Sequence, residues 1–362
     1  MSKEIFLILA DGTVYEGKGF GAVGETLGEV VFTTGMVGYL ETVTDPCYYG
    51  QIVVQTFPLI GNYGVIPADF ECEQPQLKGY IVREQCEEPS NFRSAGKIDD
   101  LLKEKGVIGL YDIDTRALTR KLRSNGVMNG MITDSLGDFE EKLAQIRAFQ
   151  IREAVAAVTS PEIKIELVPE KQYKIALWDF GAAHGTVAEL NQRGCEVITV
   201  PATATAADIA ALGVDGMVLS DGPGNPEDNS EIIKQVRLWT EKNIPTVGTG
   251  LGHQLLALAC GAQTEKMKFG HRGSNQPVRD LTTGRLLITS QNHGYTVKRD
   301  SLPENVILRW ENVNDGTCEG LSYRRFPGFS LQFRPADTRG VAAENFFYDG
   351  FLQLICDAKE EK

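Results

Sequence analysis

Over the first 150 residues, apolar and polar positions alternate in short runs. Ile5–Leu9 and Thr13–Gly17 flank the turn pair Asp11-Gly12, a pattern that predicts a β-hairpin. Glu29–Thr33 and Ile52–Phe57 are further β-branched runs, separated by Gly, Asp and Pro. Leu101–Lys105 and Arg116–Arg123 have helical spacing, with a short strand expected at Val107–Tyr111 between them. Helical spacing returns over residues 139–158. Strands mixed with a few helices predict an α+β domain over residues 1–155. Residues 156–172 are polar and hold Pro161 and Pro169, which predicts a linker.

From Tyr173 the period changes. Lys174–Trp178, Glu196–Val200, Gly216–Ser220 and Ile244–Val247 are short, almost continuously apolar runs. Thr186–Arg193, Ala206–Leu212, Glu231–Lys242 and Gly252–Ala259 carry helical spacing between and after them. Thr205, with Asp208 three residues later, has the form of a capping box. Buried strands alternating with helices predict an α/β domain over 173–362, built on a doubly wound, mostly parallel sheet. Beyond Gly261 the pattern turns to short strands, closed by a helix over Phe346–Ile355.

Charge narrows the range of partners. Lys and Arg number 36 against 49 Asp and Glu, a net charge of −13, which argues against nucleic acid or an anionic membrane surface. No apolar run approaches the ~18 residues needed to cross a bilayer. The apolar run Ile5–Ala10 is too short for a secretory segment and ends in a turn pair. Seven scattered cysteines, no CxxC pair and four histidines predict no metal site and fit a reducing, cytoplasmic setting.

Two glycine-rich segments bear on chemistry. Gly19-Phe-Gly21-Ala-Val-Gly24 has dinucleotide-loop spacing, but a β-branched run follows instead of a helix, so a glycine-rich β turn is expected. Ile244-Pro-Thr-Val-Gly-Thr-Gly250-Leu-Gly-His-Gln254 reads as strand, sharp turn, helix, the geometry of a nucleophile elbow. Helix-end N–H groups there would lower a thiol's pKa and stabilise an oxyanion. The apex is Gly250, without a side chain, and the same pattern equally describes a tight strand–helix connection.

Further motifs carry a resemblance. Leu-Ser-Asp221-Gly222-Pro-Gly224-Asn-Pro, the segment from Gly250 through Ala259, Met-Lys-Phe-Gly-His271, Gln291-Asn292-His293-Gly294-Tyr295 and Ser330-Leu-Gln-Phe-Arg334-Pro335 together resemble a class I glutamine amidotransferase domain. Gly28-Glu-Val-Val-Phe, Gly38-Tyr, Thr44-Asp-Pro, Ser90-Asn-Phe-Arg93 and Asp112-Ile-Asp-Thr-Arg116 are similar to the small subunits of carbamoyl-phosphate synthases. The resemblance implies a chain that strips ammonia from glutamine for a large-subunit partner. It implies no cofactor in this chain, ATP and Mg²⁺ being used by that partner, and a role in arginine or pyrimidine biosynthesis as a heterodimer.

That chemistry needs a thiolate, a His base and an orienting Glu. By the resemblance these fall on Gly250, Arg334 and Ala336, so the catalytic triad is expected to be degenerate. Glycine cannot attack an amide, and arginine stays protonated. The resemblance further assigns glutamine contacts to Cys47, Gly222, Gly224, Leu251, Gln254, Asn292, Gly294 and Tyr295. Asp221 stands where the family usually has Asn. The expected role is therefore structural or regulatory, with free ammonia as the nitrogen source. Two alternatives stay open: an active glutaminase with its nucleophile relocated to Cys47 or Cys260, and a free-standing glutamine-binding protein. Arg334 is expected to fill the vacated site and pair with Asp221 or Asp337.

Overall fold

The structure, a computed structural model, describes residues 4–335 and 345–360 and divides into two units, Met1–Ala154 and Val155–Lys362. In the first unit, β1 (Glu4–Leu9), β2 (Val14–Gly21), β3 (Thr26–Thr33) and β4 (Gln51–Gln55) begin a barrel. The short β5 (Leu59–Ile60) and β7 (Glu84–Gln85) pair beside it, and β6 (Gly79–Ile81), β8 (Ile108–Tyr111) and β9 (Met128–Thr133) complete it. The closed order is β1-β2-β8-β6-β4-β3-β9, which leaves no edge strand. The Asp11-Gly12 hairpin forms as expected, with Ile8 opposite Val14. Helices α1 (Tyr39–Thr44), α2 (Ile98–Lys105), α3 (Thr115–Asn125) and α4 (Phe139–Ala148) accompany the barrel. The glycine-rich stretch from Gly19 runs out of β2, as a strand end rather than a phosphate loop.

The second unit is a ten-stranded sheet. After α5 (Ala154–Val158) come β10 (Lys164–Glu166), β11 (Tyr173–Asp179), α6 (His184–Gln192), β12 (Cys195–Pro201), α7 (Ala206–Ala211), β13 (Gly216–Leu219), α8 (Ser230–Thr240), β14 (Thr246–Thr249) and α9 (Leu251–Ala259). The chain continues through β15 (Thr264–Asp280), β16 (Leu286–Val297), β17 (Val306–Asn312), β18 (Cys318–Tyr323), β19 (Gly328–Leu331) and α10 (Phe346–Glu360). Strands β12-β11-β13-β14-β19 run parallel, and the remaining pairings are antiparallel.

Alternation along β11 explains the layering. Ile175 and Leu177 face a cluster with Leu190 of α6 and with Phe347, Phe351 and Ile355 of α10. Ala176 and Trp178 face Ile209 of α7, Val236 and Trp239 of α8, and Leu255 and Leu256 of α9. A strand segment covered on both faces must be apolar at every position, and Ile175–Trp178, the buried centre of β11, is. The Thr205–Asp208 capping box is formed at the start of α7.

Three local expectations are corrected. The stretch 156–172 is not simply a connector: Lys164–Glu166 pairs with β12 as the sheet's edge. Its polar composition hid this, because backbone pairing needs no buried side chain; Ile165 stays 58% exposed. The strand expected at Ile244–Val247 begins at Thr246, after Pro245, which has no N–H to give to a ladder. Beyond Gly261, the first two strands are long, β15 alone spanning 17 residues, and the short strands expected there are β17, β18 and β19. Register shifts at Lys266/His271 and Gly273/Gln276 interrupt its alternation, so its length is invisible to a period-2 reading. Among the described residues, no helix is long and apolar enough to cross a membrane.

Candidate functional site

The turn from β14 into α9 is the elbow. Gly248 and Gly252 allow it: a β-carbon on Gly248 would lie 2.9 Å from the Gly252 backbone, and one on Gly252 would press into the Leu219 backbone. Strand, helix and the neighbouring β13 thus approach more closely than any side chain permits. Gly250, at the apex, has φ +50° and ψ −112°. Its N–H donates to the Leu331 carbonyl of β19 at 2.9 Å, and the Gly252 N–H donates to the Ser220 carbonyl at 2.9 Å. Residues 251–257 of α9 are all buried, so the helix is enclosed around its whole circumference, and its two polar side chains, His253 and Gln254, find partners inside.

Asp221 dominates the apex. Its Oδ1 accepts from the Gly222 N–H at 2.8 Å and from the Leu251 N–H, the first of α9, at 3.1 Å. Gly250 offers no side-chain cap, and Asp221 supplies that function from the β13 loop. The side-chain volume that residue 250 would need is taken: a β-carbon built there collides with the Asp221 carboxylate. Arg334 Nε reaches Asp221 Oδ2 at 3.3 Å, with side-chain exposures of 25% and 16%. Of the two partners expected for Arg334, Asp221 is the one observed; Asp337 and Ala336 lie outside the described residues.

Behind Asp221 the loop is braced. Ser220 Oγ accepts from the Phe180 N–H at 2.8 Å and donates to the Asp221 carbonyl at 2.7 Å. A β-carbon on Gly222 would meet the Phe180 carbonyl, so glycine is needed there for a close backbone approach. Gly224, in the same loop, has φ +92°.

The remaining expected positions of this unit gather on one side. Gln254, one turn into α9, is buried and donates to the Tyr295 carbonyl at 2.9 Å and to Gln332 Oε1 at 2.9 Å. Asn292, Gly294 and Tyr295 lie on β16, with Asn292 in register with Arg272 of β15. Lys266 Nζ lies 6.0 Å from the centre of the Tyr295 ring. Cys47 belongs to the first unit, in the turn Pro46–Tyr48, where it is buried and its N–H donates to Asp45 Oδ1 at 2.9 Å.

Two further groups lie close in sequence to the elbow. Cys260 caps the far end of α9, ~15 Å from the apex at 1.5 Å per residue. Burial pushes its thiol up to about 11, with Arg325 and Arg237 opposing only weakly, so it is held as a thiol. His253 Nδ1 lies 2.7 Å from Ser330 Oγ, which lies 2.8 Å from the Tyr323 hydroxyl. That Ser–His contact resembles a nucleophile and base, but both residues are fully buried. Burial pushes His253 down to about 3, so it stays neutral inside the core.

A second polar cluster was not foreseen. His271 Nε2 lies 2.9 Å from Asp315 Oδ2, and its Nδ1 lies 3.4 Å from Glu319 Oε1. Glu319 is completely buried and accepts from Asn312 Nδ2 at 3.0 Å and Gln291 Nε2 at 2.9 Å. Burial opposes the charged form of His271, but hydrogen bonds to Asp315 and Glu319 outweigh it, and its pKa is pushed up to about 9. His293 lies beside it, and with Glu319 these two rings could offer ligand atoms to a cation. The hydrogen bonds above already satisfy Glu319, and a charged His271 serves as its counter-ion. These residues come from four strands, β15 to β18, and one loop, so no local spacing links them in the sequence.

Comparison with known proteins agrees with both units. Residues 7–132 match the carbamoyl-phosphate synthase small chain, CPSase domain, and residues 176–354 match glutamine amidotransferase class-I. The carbamoyl phosphate synthase small chain of Bacillus cereus (strain ATCC 10987 / NRS 248) is 47% identical over 98% of this chain and 97% of its own length. That of Bacillus caldolyticus is 48% identical over 96% of each. The chain belongs to the carbamoyl-phosphate synthase small chain family. A further relative, from Halalkalibacterium halodurans (strain ATCC BAA-125 / DSM 18197 / FERM 7344 / JCM 9153 / C-125), is a pyrimidine-specific small chain, 47% identical over 96% of each. The apex of the turn from β14 into α9 is Gly250, with the Asp221 carboxylate against it.

Proposed function

We propose that this chain serves a carbamoyl-phosphate synthase as a small subunit without glutaminase activity. It docks on a large subunit, stabilises it, and leaves it to use free ammonia. The observation that carries this reading is the apex of the elbow: residue 250 has no side chain, and a carboxylate stands where one would go. Arg334, at the position the family gives to its base, keeps its proton at any working pH and donates toward Asp221. In a protease built on the same logic, loss of nucleophile or base alone lowers turnover by ~10⁶. The glycines at 222, 224, 248 and 252 persist in this reading because the backbone needs them. ATP and Mg²⁺ belong to the partner's chemistry, and pyrimidine or arginine synthesis is the pathway setting.

Carbamoyl phosphate output of the reconstituted pair tests this. Ammonium is expected to support synthesis, and glutamine at matched nitrogen concentration to give only background. Faster synthesis from glutamine than from ammonium would overturn the proposal. Cys47→Ala and Cys260→Ala variants are expected to leave ammonia release from glutamine unchanged at background; a drop in either would favour a relocated nucleophile.

A further inference from the structure

We infer that Asp221 is a built-in occupant of this site and the residue that closes it to small amides and carboxylates; the inference rests on the reading of a disused glutaminase site. Two N–H groups, from Gly222 and from Leu251 at the start of α9, converge on one oxygen, Asp221 Oδ1, at 2.8 and 3.1 Å. Such a pair, at a helix N-terminus, is arranged to hold an oxygen that carries negative charge. The oxygen it holds here belongs to the chain itself.

Three features keep it there. Ser220 ties the Asp221 backbone to Phe180, which fixes the loop that carries the carboxylate, and turning the carboxylate out would forfeit its bonds to the Gly222 and Leu251 N–H groups. Arg334 Nε approaches the opposite oxygen, Oδ2, at 3.3 Å, so the group is gripped on both sides. The absence of a side chain at Gly250 leaves the space the carboxylate occupies. Gly250, Asp221 and Arg334 therefore form one interlocked set. An incoming amide or carboxylate oxygen must evict a charged group that already holds both N–H donors. The site is refilled rather than vacant.

The experiment is isothermal titration of the full chain with L-glutamine and, separately, L-glutamate. Wild type is expected to bind neither measurably, and Asp221→Ala to bind at least one of them at least ~10-fold more tightly, about 1.4 kcal/mol by the conversion between affinity and free energy. Wild-type binding as tight as the variant's would overturn the inference, and so would an Asp221→Ala chain that folds and gains nothing. Thermal midpoints give an independent reading. Gly250→Ala is expected to lower the midpoint in the wild-type background, and the loss is expected to be at least halved when Asp221 is also alanine. An equal loss in both backgrounds would mean that Asp221 does not hold the space. Neither measurement involves the large subunit, so failure here leaves the ammonium-versus-glutamine result to stand or fall separately.

Discussion

The second unit holds two clusters of charge that are satisfied in different ways. At the elbow, Asp221 leans on backbone N–H groups and one arginine, and both side chains keep some contact with solvent. In the β15–β18 region, Glu319 is sealed from water and every partner is a side chain: His271, Asn312 and Gln291. Backbone donors are in place whatever the side chains are, so a cluster built on them tolerates substitution. A cluster built on side chains loses an essential partner with each change. On the proposed reading, this contrast lets the chemistry at one end of α9 be lost while the surrounding sheet stays intact.

The sharpest way to break the comparison is Glu319→Ala. It leaves His271 with Asp315 alone and removes a buried acceptor from Asn312 and Gln291, and a loss of ~3–5 kcal/mol is expected in chemical denaturation. A loss below 1 kcal/mol would put the two clusters in the same class. Next comes Gly250→Cys, which restores a thiol in name only. It must displace Asp221 and accept the left-handed backbone, so ~2–4 kcal/mol of destabilisation is expected together with no glutaminase activity. Ammonia release from glutamine by that single variant would show the apex to be less crowded than described.

A pH series sharpens the second cluster. His271 has its folded pKa raised above the ordinary histidine value, to about 9. The sign follows: the protonated form is favoured in the folded state, so the contribution is complete below ~pH 6.5 and drains away as pH climbs toward 9. Wild type is expected to lose ~1–3 kcal/mol more than His271→Gln between pH 6 and pH 10. Parallel curves for the two proteins would remove His271 as the source. The smallest effect belongs to Arg334→Ala. A partly exposed pair of this kind contributes ~0.5–1 kcal/mol, and the variant's melting curve should move by a few degrees at most.

Much of this architecture was legible beforehand, for identifiable reasons. The almost continuously apolar runs at β11, β12 and β13 pointed to strands covered on both faces, and capping chemistry marked the start of α7. Barrel closure in the first unit was not legible, because it depends on β1 meeting β9 across more than a hundred residues. The long β15–β16 arm was masked by its register shifts. At the site, residue identities alone establish that position 250 carries no sulfur. They do not establish that Asp221 turns inward over it; that is seen in the Gly222 and Leu251 N–H groups converging on its carboxylate, a fact of three dimensions. The His271–Glu319 pairing was equally hidden, since no local spacing links those positions.

The contact of Gly248 and Gly252 with the strand and helix they join has a wider consequence. These two positions are dictated by steric crowding between backbones, whatever atom the apex presents. A protein can therefore shed its reagent and keep the frame that once displayed it. Any search keyed to the spacing of those glycines will go on flagging such chains as catalysts, and only the apex residue and what lies against it tell a working tool from its mount.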